Sequence, residues 1–501
     1  MNSGSATVLS HDAQDPLVVT IDVGSSSVRA GVYDAAGRAV QGCESHHPYL
    51  ARTTADGGVE TDAGALLQLV CASLDDVLAV LRRIGRRPTA VACDTFWHSL
   101  MGVDGAGTVL TPVYSWADTR SALDARQLAD VVDVDAVHAR TGTAIHSSYL
   151  PAKLHWLRRV QPDLFRRVRY WMSCGEYLYL QLFGDRRVSV SMASATGLMD
   201  QRSCGWDPAL LDALHVEEGQ LSPIVDYTDA AHGLQAQFGL RWPELAQLPW
   251  FLPLGDGACN NIGSGGVSGD HAVLMVGTSG AIRIVRECSG FEIPPGVWSY
   301  RVDCRRIVQG GALSAGGNIY AWLQKTLLPP AGSDPEAALM AMPPDSHGLT
   351  ILPFLAGERS PHWNPDARSA LVGATLDTTP LDLLRASLEA MAYRFGMVYE
   401  LLIHSIEAPR SIIGSGAALL HSRIWMEIMT DVLGRPMAAS GVAEASSRGA
   451  ALLALEAIGA VHDLQSVPVP LGAAFTPNPE RSQIYQAAMD RQTLLYKQLC
   501  G

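Results

Sequence analysis

The sequence lacks the features that would place it among secreted, zinc-binding, membrane or nucleic-acid-binding proteins. Its nine cysteines are an odd, scattered set without a C-x-x-C pair, which indicates reduced thiols. No run of Lys or Arg offsets the formal net charge of −13, so nucleic acid is not an expected partner. Residues 1–16 have neither the basic start nor the apolar stretch of a signal peptide, and no apolar run approaches transmembrane length. We therefore expect a cytoplasmic protein, monomeric or homodimeric, with no membrane partner.

Two common catalytic motifs are also missing. No G-x-x-x-x-G-K-[ST] occurs, which excludes a P-loop kinase, and no G-x-S-x-G supports a hydrolase. The acidic net charge would not attract an anionic ligand. Any acid or nucleotide must therefore meet local positive charge, a helix N-terminus or a metal ion in its own site.

Length and patterning predict two α/β domains. A chain of 501 residues exceeds what one hydrophobic core usually organises. A β-branched run over 17–22, a Gly/Ser turn and an alternating run over 28–33 predict a β-hairpin. The same pattern recurs at 272–285, which indicates an internal duplication. Glycines become frequent from Asp256 to Gly269, where we expect a hinge between domains 17–262 and 263–501, after a flexible N-terminus over 1–16.

The turns of the two predicted hairpins are candidates for binding nucleotide phosphates. Asp22 ends the first strand, and the N–H groups of the small residues after it can face an anion while its carboxylate holds a metal-bound water. One Asp-X-Gly turn is usually only a turn. Its second copy favours ATP and Mg²⁺ bound in a cleft, with Asp22 at the metal. The candidate phosphate-binding residues are Gly24, Ser25, Ser26, Ser27, Gly277, Thr278, Ser279 and Gly280.

Two further segments are candidates for the chemistry of a kinase. Asp256 lies in a glycine-flanked loop and can accept the proton of a hydroxyl during phosphoryl transfer, although by itself a helix N-cap is the commoner role. Residues 411–417 predict a strand, a glycine turn and a helix, which is a weak dinucleotide fingerprint. The backbone of Gly414, Gly416 and Ala417 can instead lie against adenine or ribose.

A polar cluster is the candidate for binding a polyhydroxylated ligand. Trp116, Asp118 and Arg120 offer an aromatic face, an acid and a guanidinium on one segment, and Arg is a bidentate donor to a carboxylate. A surface ion pair of little energetic value is an equal alternative. His98 follows a strand that ends near Asp94, at the edge where α/β sheets bind ligands, although a lone His is more often structural.

In this order the motifs resemble those of the FGGY carbohydrate kinase family, from about Leu17 to the last Ala-rich helix. Residues 357–361, Gly-Glu-Arg-Ser-Pro, and 444–450, Glu-Ala-Ser-Ser-Arg-Gly-Ala, are similar to two more family motifs. The resemblance implies two ribonuclease-H-like, actin-like ATPase domains that close over ATP and a sugar or sugar acid. It also implies that Asp256 is the catalytic base and that 414–417 bind adenosine.

Four segments are similar to gluconokinases in particular: 98–100, 116–121, 141–146 followed by 151–157, and 193–198. They favour phosphorylation of gluconate to 6-phosphogluconate. A xylulokinase-like or other ketose or polyol kinase is the alternative, and a non-catalytic actin-like ATP-binding protein is a further one. Trp97 departs from the family pattern and can reshape the sugar pocket. Lys153 can meet a substrate carboxylate, but a solvated helix residue is its commoner role.

Overall fold

The computed structural model of the protein describes residues 5–288, 291–327, 335–404 and 406–500. The strands of its first half are β1 (Thr7–Val8), β2 (Val18–Val23), β3 (Ser27–Tyr33), β4 (Ala39–Pro48), β5 (Arg52–Thr53), β6 (Val59–Thr61), β7 (Ala90–Thr95), β8 (Met101–Val103), β9 (Val113–Tyr114), β10 (Tyr170–Met172), β11 (Val188–Ser189), β12 (Met199–Asp200), β13 (Gly205–Trp206), β14 (Ile224–Val225) and β15 (Leu254–Gly255). The helices of the first half are α1 (Ala63–Ile84), α2 (Ala122–Ala129), α3 (Val134–Thr141), α4 (Leu150–Val160), α5 (Pro162–Arg167), α6 (Cys174–Phe183), α7 (Val190–Ser194), α8 (Pro208–Leu214), α9 (Ala236–Arg241) and α10 (Asp256–Gly263).

The second half has the same kinds of element. Its strands are β16 (His271–Val276), β17 (Gly280–Glu287), β18 (Trp298–Arg301), β19 (Arg306–Leu313), β20 (Thr350–Leu352), β21 (Ala370–Val372), β22 (Ser411–Ser415), β23 (Met437–Ser440) and β24 (Leu471–Phe475). Its helices are α11 (Gly317–Leu327), α12 (Glu336–Ala341), α13 (Pro380–Ile403), α14 (Ala417–Leu420), α15 (Arg423–Leu433), α16 (Ala445–Ala457) and α17 (Pro479–Leu499). Short 3₁₀ turns lie at Glu218–Gln220 and Leu464–Ser466.

The two large sheets share the topology of five consecutive strands and differ at their edges. The first has the order β1-β4-β3-β2-β7-β15 and the second β18-β19-β17-β16-β22-β23-β24. In each, an antiparallel hairpin (β2–β3 or β16–β17) is followed across the sheet by two parallel strands, β7 and β15 or β22 and β23. The predicted hairpins and the predicted duplication are therefore both present, in a mixed α/β fold of two halves.

The N-terminal segment differs from the prediction of a flexible 1–16. Residues 1–4 lie outside the described residues, whereas β1 pairs with β4 at the edge of the first sheet, and Val8 and Ala13 are buried. Burial of these apolar side chains gives the segment a place in the first core.

Helix α1 corrects the expectation that no apolar run reaches transmembrane length. By length and composition it could cross a membrane. Asp62 caps its start by accepting the Ala65 N–H at 2.7 Å, and Gly85 ends it in a left-handed conformation. Its Leu66, Val70, Leu74 and Leu78 side chains are buried in the core under the first sheet, so its apolar face has a partner within the fold.

The glycine-rich stretch that was predicted to be a hinge begins as helix α10, which packs on α16 from the second half. A Cβ on Gly263 would lie 1.8 Å from the Ala445 carbonyl oxygen, and one on Gly449 would lie 1.8 Å from that of Cys259. These glycines are needed because the two helix backbones touch. Helix α16 also packs on β2 and β7, so it joins the two halves.

Candidate active site

A cavity of about 220 Å³ has walls from both halves of the chain. It is smaller than the roughly 300–1,000 Å³ typical of sites for drug-sized ligands, so a single small sugar suits it better. The predicted residues that line it are Ser25, His98, Trp116, Asp256, Ser279 and Gly280. The fold thus brings to one place the two predicted phosphate turns, the predicted base and part of the predicted sugar cluster.

Three acids stand along one edge of the first sheet. Strands β2, β7 and β15 are parallel, so their carboxyl ends meet, as at the ligand-binding edge of other α/β sheets. Asp22 and Asp94 are direct partners in register on β2 and β7, and Asp256 follows the last residue of β15.

Asp256 is the first residue of α10, and Gly255 is the N-cap. Its Oδ1 accepts the N–H of Gly257 at 2.8 Å, and its own carbonyl accepts the Ser446 hydroxyl at 3.3 Å. Burial raises the pKa of Asp256, while the positive charge of Arg283 opposes this shift. The carboxylate lines the cavity, so its position fits a base better than the N-cap alternative does.

Trp97 explains why glycines flank Asp256. A Cβ on Gly255 would lie 1.7 Å from Trp97 Nε1, and one on Gly257 would lie 2.4 Å from the same ring. The indole Nε1 donates to the Ser191 carbonyl at 3.3 Å, and the ring lines the cavity. The ring therefore holds the turn that carries Asp256 and also narrows the pocket.

His98 enters the cavity wall with a φ of 61°, an uncommon conformation for a residue other than glycine. Its Nδ1 donates to the Ala195 carbonyl at 2.6 Å. Burial lowers the pKa of His98 to about 3, so the imidazole is neutral at physiological pH. It offers a ligand hydrogen bonds without charge.

Asp118 and Arg120 do not line the cavity, in contrast to Trp116. The Arg120 guanidinium is paired with Asp118 and, at 2.7 Å, with Glu60, and it lies 4.7 Å from the centre of the Trp156 ring. Asp118 also accepts the Val59 N–H at 3.1 Å. The pair links the loop of Trp116 to β6, so its placement does not support the predicted contact with substrate.

The position of Lys153 differs from both roles that the sequence suggested for it. It is only 1% exposed, and its Nζ donates to the Asp118 carbonyl at 3.1 Å and to the Ser147 carbonyl. Burial lowers the pKa of Lys153 to about 8. The side chain ties the loop of Trp116 to α4 and neither faces solvent nor reaches the cavity.

A backbone hydrogen bond closes each of the two predicted phosphate turns, but the second turn is one residue shorter than the first. The Gly24 N–H donates to the Ser27 carbonyl, and the Gly277 N–H to the Ser279 carbonyl, each at 2.9 Å. Gly414, Gly416 and Ala417 lie at the end of β22 and the start of α14, outside the cavity. Gly416 has a φ of 87°, and its backbone lies close to Val276, just before the second turn.

Asp94 is a site residue that the sequence did not single out. It is fully buried, and its carboxylate oxygens have no hydrogen-bond partner among the described residues apart from Asp22 beside it. Burial raises the pKa of both acids. The Arg29 guanidinium lies 3.6 Å from Asp22 and 3.3 Å from Glu444. Two adjacent carboxylates with so little compensating charge suit a hard divalent cation.

Two arginines of the cavity wall were also missed. Arg283 lies on β17, and Arg359 lies in the loop of residues 357–361. That loop is held by Glu358, which accepts from Arg394 on α13 and, at 2.7 Å, from the Tyr496 hydroxyl. The sequence contains a signal for each of them: Arg283 is a charged residue inside an apolar strand, and Arg359 belongs to the 357–361 motif. Neither says which way the side chain points.

Comparison with known proteins agrees with this architecture. The N-terminal domain model of the FGGY family of carbohydrate kinases matches residues 17–263, and the C-terminal domain model matches 272–458. A gluconokinase of Bacillus subtilis is 25% identical over 486 residues, covering 95% of this chain and 93% of that protein. A solved gluconate kinase from Lactobacillus acidophilus has a TM-score of 0.89 at 24% identity, covering 96% of this chain and 98% of that one. A xylulose kinase from the same organism has a TM-score of 0.90 at 24% identity, covering 97% and 98%.

Proposed function

The chain belongs to the FGGY family of carbohydrate kinases, and we propose that the sugar it phosphorylates is gluconate, which it converts to 6-phosphogluconate with ATP. The main support is the small cavity in which Asp256 faces both phosphate turns. The four gluconokinase-like segments and the similarity to a gluconokinase over 95% of the chain favour this substrate. The likeness to a xylulose kinase structure keeps a ketose as the second candidate.

In the proposed reaction, Asp256 accepts the proton of a terminal hydroxyl of the sugar. That oxygen forms a bond to the γ-phosphorus while the bond from this phosphorus to the β-phosphate oxygen breaks, so ADP leaves. The N–H groups of the turns after Asp22 and Val276 hold the phosphates during transfer. The raised pKa of Asp256 makes it a stronger base than an exposed carboxylate.

The acid pair Asp22 and Asp94 fits a Mg²⁺ ion that accompanies the nucleotide. Their oxygens are of the type that Mg²⁺ prefers, and Asp94 has no other partner among the described residues. Bound Mg²⁺ would neutralise phosphate charge. Asp22 is the nearer of the two to the phosphate turn and is the proposed ligand, directly or through water.

The cavity wall suits a polyol chain with one acidic end. His98 is a neutral hydrogen-bonding group, and Trp116, Tyr149 and Trp363 offer aromatic faces to C–H groups. Closure of the two halves over the ligand would exclude water and so limit hydrolysis of ATP.

Purified protein should be assayed with ATP and Mg²⁺ against gluconate, xylulose, hexoses and polyols, with the mass and position of the product phosphate determined. We expect 6-phosphogluconate as the dominant product. Asp256→Asn protein, prepared in parallel, controls for a contaminating kinase. Preferred turnover of xylulose would contradict the substrate assignment and keep the kinase. Absence of product from every substrate would contradict catalysis.

A further inference from the structure

Two arginines of the cavity wall, the buried Arg283 and the half-buried Arg359, form no salt bridge with any described residue. Arg283 is 8% exposed, and its Nε and Nη1 have no hydrogen-bond partner among the described residues. Among the described residues, Nε of Arg359 has no hydrogen-bond partner either, and its Nη2 donates only to the Leu313 carbonyl at 3.2 Å. Both side chains line the cavity.

Other buried arginines of this protein are compensated. Arg306 pairs with Asp303 and with Glu456 at 2.6 Å, Arg385 pairs with Glu389 at 2.5 Å, and Arg394 pairs with Glu358. Arg448 donates to three backbone carbonyls. Arg283 therefore differs from these buried arginines, and Arg359 beside it in the cavity wall also lacks an ion pair among the described residues.

An uncompensated buried charge is costly, so a fold that keeps one at Arg283, with Arg359 beside it, is expected to use them. Burial lowers the pKa of Arg283 to about 10 and lowers that of Arg359, yet both remain cationic at neutral pH. The opposing charge in the wall is the single carboxylate of Asp256, and His98 is neutral. The walls thus carry one excess positive charge, which one ligand oxyanion would balance.

The oxyanion has two possible sources, a carboxylate of the sugar and the γ-phosphate of the nucleotide. Position favours the carboxylate. The Arg359 guanidinium lies 5.1 Å from the centre of the Trp116 ring, on the aromatic side of the cavity. In the proposed function, the phosphates are held by the N–H groups of the two turns other than those of Gly24 and Gly277, which close the turns. Because both arginines come from the second half while Asp256 comes from the first, one ligand can reach across the cleft.

We infer that Arg283 and Arg359 together bind the carboxylate of the sugar substrate and so make this kinase selective for sugar acids over neutral sugars. The inference rests on the proposed function and deepens it. A guanidinium fork suits a carboxylate in a way that a neutral alcohol cannot reproduce.

The test compares gluconate with sorbitol, which has the same hydroxyl chain but an alcohol in place of the carboxylate. We expect Arg283→Met and Arg359→Met each to lower kcat/KM for gluconate about 100-fold, the usual scale for a buried charge-assisted hydrogen bond. Activity with sorbitol and the KM for ATP should change less than about 2-fold. Arg286→Met is the matched control. It lies on the same strand, bonds Gln309 at 3.1 Å and is outside the cavity.

Binding without turnover gives an independent measurement. Gluconate alone should raise the Tm of the wild type and of Arg286→Met. It should not raise the Tm of Arg283→Met or Arg359→Met. Sorbitol should not raise the Tm of any of these proteins. If a Met variant does not fold, the corresponding Lys variant, which keeps the charge but loses the fork, should show a smaller loss for gluconate only.

The outcomes separate the inference from the proposed function. The inference would be overturned, and the proposed function left intact, if the wild type phosphorylates gluconate but the Met variants lose equal activity with gluconate and sorbitol. A raised KM for ATP in these variants would have the same meaning. Wild-type turnover of neutral sugars alone would overturn both.

Discussion

The two halves of the molecule share a five-stranded sheet core but bring opposite charges to the site. In the first half, Asp22, Asp94 and Asp256 stand along the carboxyl edge of the sheet. In the second half the wall supplies Arg283 and Arg359, and Met275 precedes the second turn where Asp22 precedes the first. The two halves thus have similar arrangements of strands, and different residues near the ends of these strands give each half a different part of the chemistry.

This division assigns roles that can be tested separately. Carboxylates accept protons and hold metal ions, whereas guanidinium groups hold oxyanions. Loss of an acid from the first half should damage catalysis, and loss of a cation from the second should damage selection of the substrate.

Asp256→Asn should have the largest effect. The amide keeps the volume but cannot accept the proton, so kcat should fall by about 10²–10⁴-fold. Binding of ATP should persist because the phosphate turns are unchanged, which isothermal titration can verify. Asp270→Asn, at an exposed ion pair with Arg410, is the control and should remain active. Near-normal turnover of Asp256→Asn would remove the acid from the mechanism.

Asp22→Asn should follow in size. Loss of one carboxylate from the acid pair should weaken the metal site, so we expect roughly 10–100-fold lower activity and a higher Mg²⁺ concentration at half-maximal rate. Titration of activity with Mg²⁺ measures this. An unchanged Mg²⁺ requirement would assign the pair of acids to a structural role.

Much of the strand arrangement in the two halves could be predicted from the sequence, because it is determined by local sequence patterns. The β-branched runs and Gly/Ser turns of 17–33 and 272–285 specify hairpins through short-range geometry, and both are present. The family motifs then placed Asp256 near both turns, which no local pattern specifies.

The remainder depends on long-range packing. The stretch from Asp256 to Gly269 suggested a hinge, but its glycines accommodate Trp97 and α16, which are distant in sequence. Arg120 and Lys153 were predicted to be at a surface or a ligand, yet both are used inside the first half. Arg283 and Arg359 could not be predicted as site residues, because whether a side chain points into the cleft depends on how the two halves pack against each other.

Gly449→Ala tests the connection between the halves. Its Cβ would lie 1.8 Å from the Cys259 carbonyl oxygen, so α16 and α10 must move apart. We expect a loss of about 1–3 kcal/mol in unfolding free energy, seen as a lower Tm, together with reduced turnover because α10 carries Asp256. Gly472→Ala, whose Cβ would have its nearest atom at 3.6 Å, is the matched control. Equal Tm values for the two variants would contradict the tight helix contact.

The smallest expected effect is electrostatic coupling between the halves. Asp256 must be ionised to act as a base, and burial raises its pKa, so kcat should begin to fall at a higher pH than for an exposed carboxylate as the solution is acidified. The positive charge of Arg283 favours the ionised form and so lowers this pKa. In Arg283→Met the acid limb of the kcat profile, measured at saturating gluconate and ATP, should therefore move to higher pH. Arg286→Met should leave the limb in place, whereas an unchanged limb in Arg283→Met would mean that the cation of the second half does not act on the base of the first.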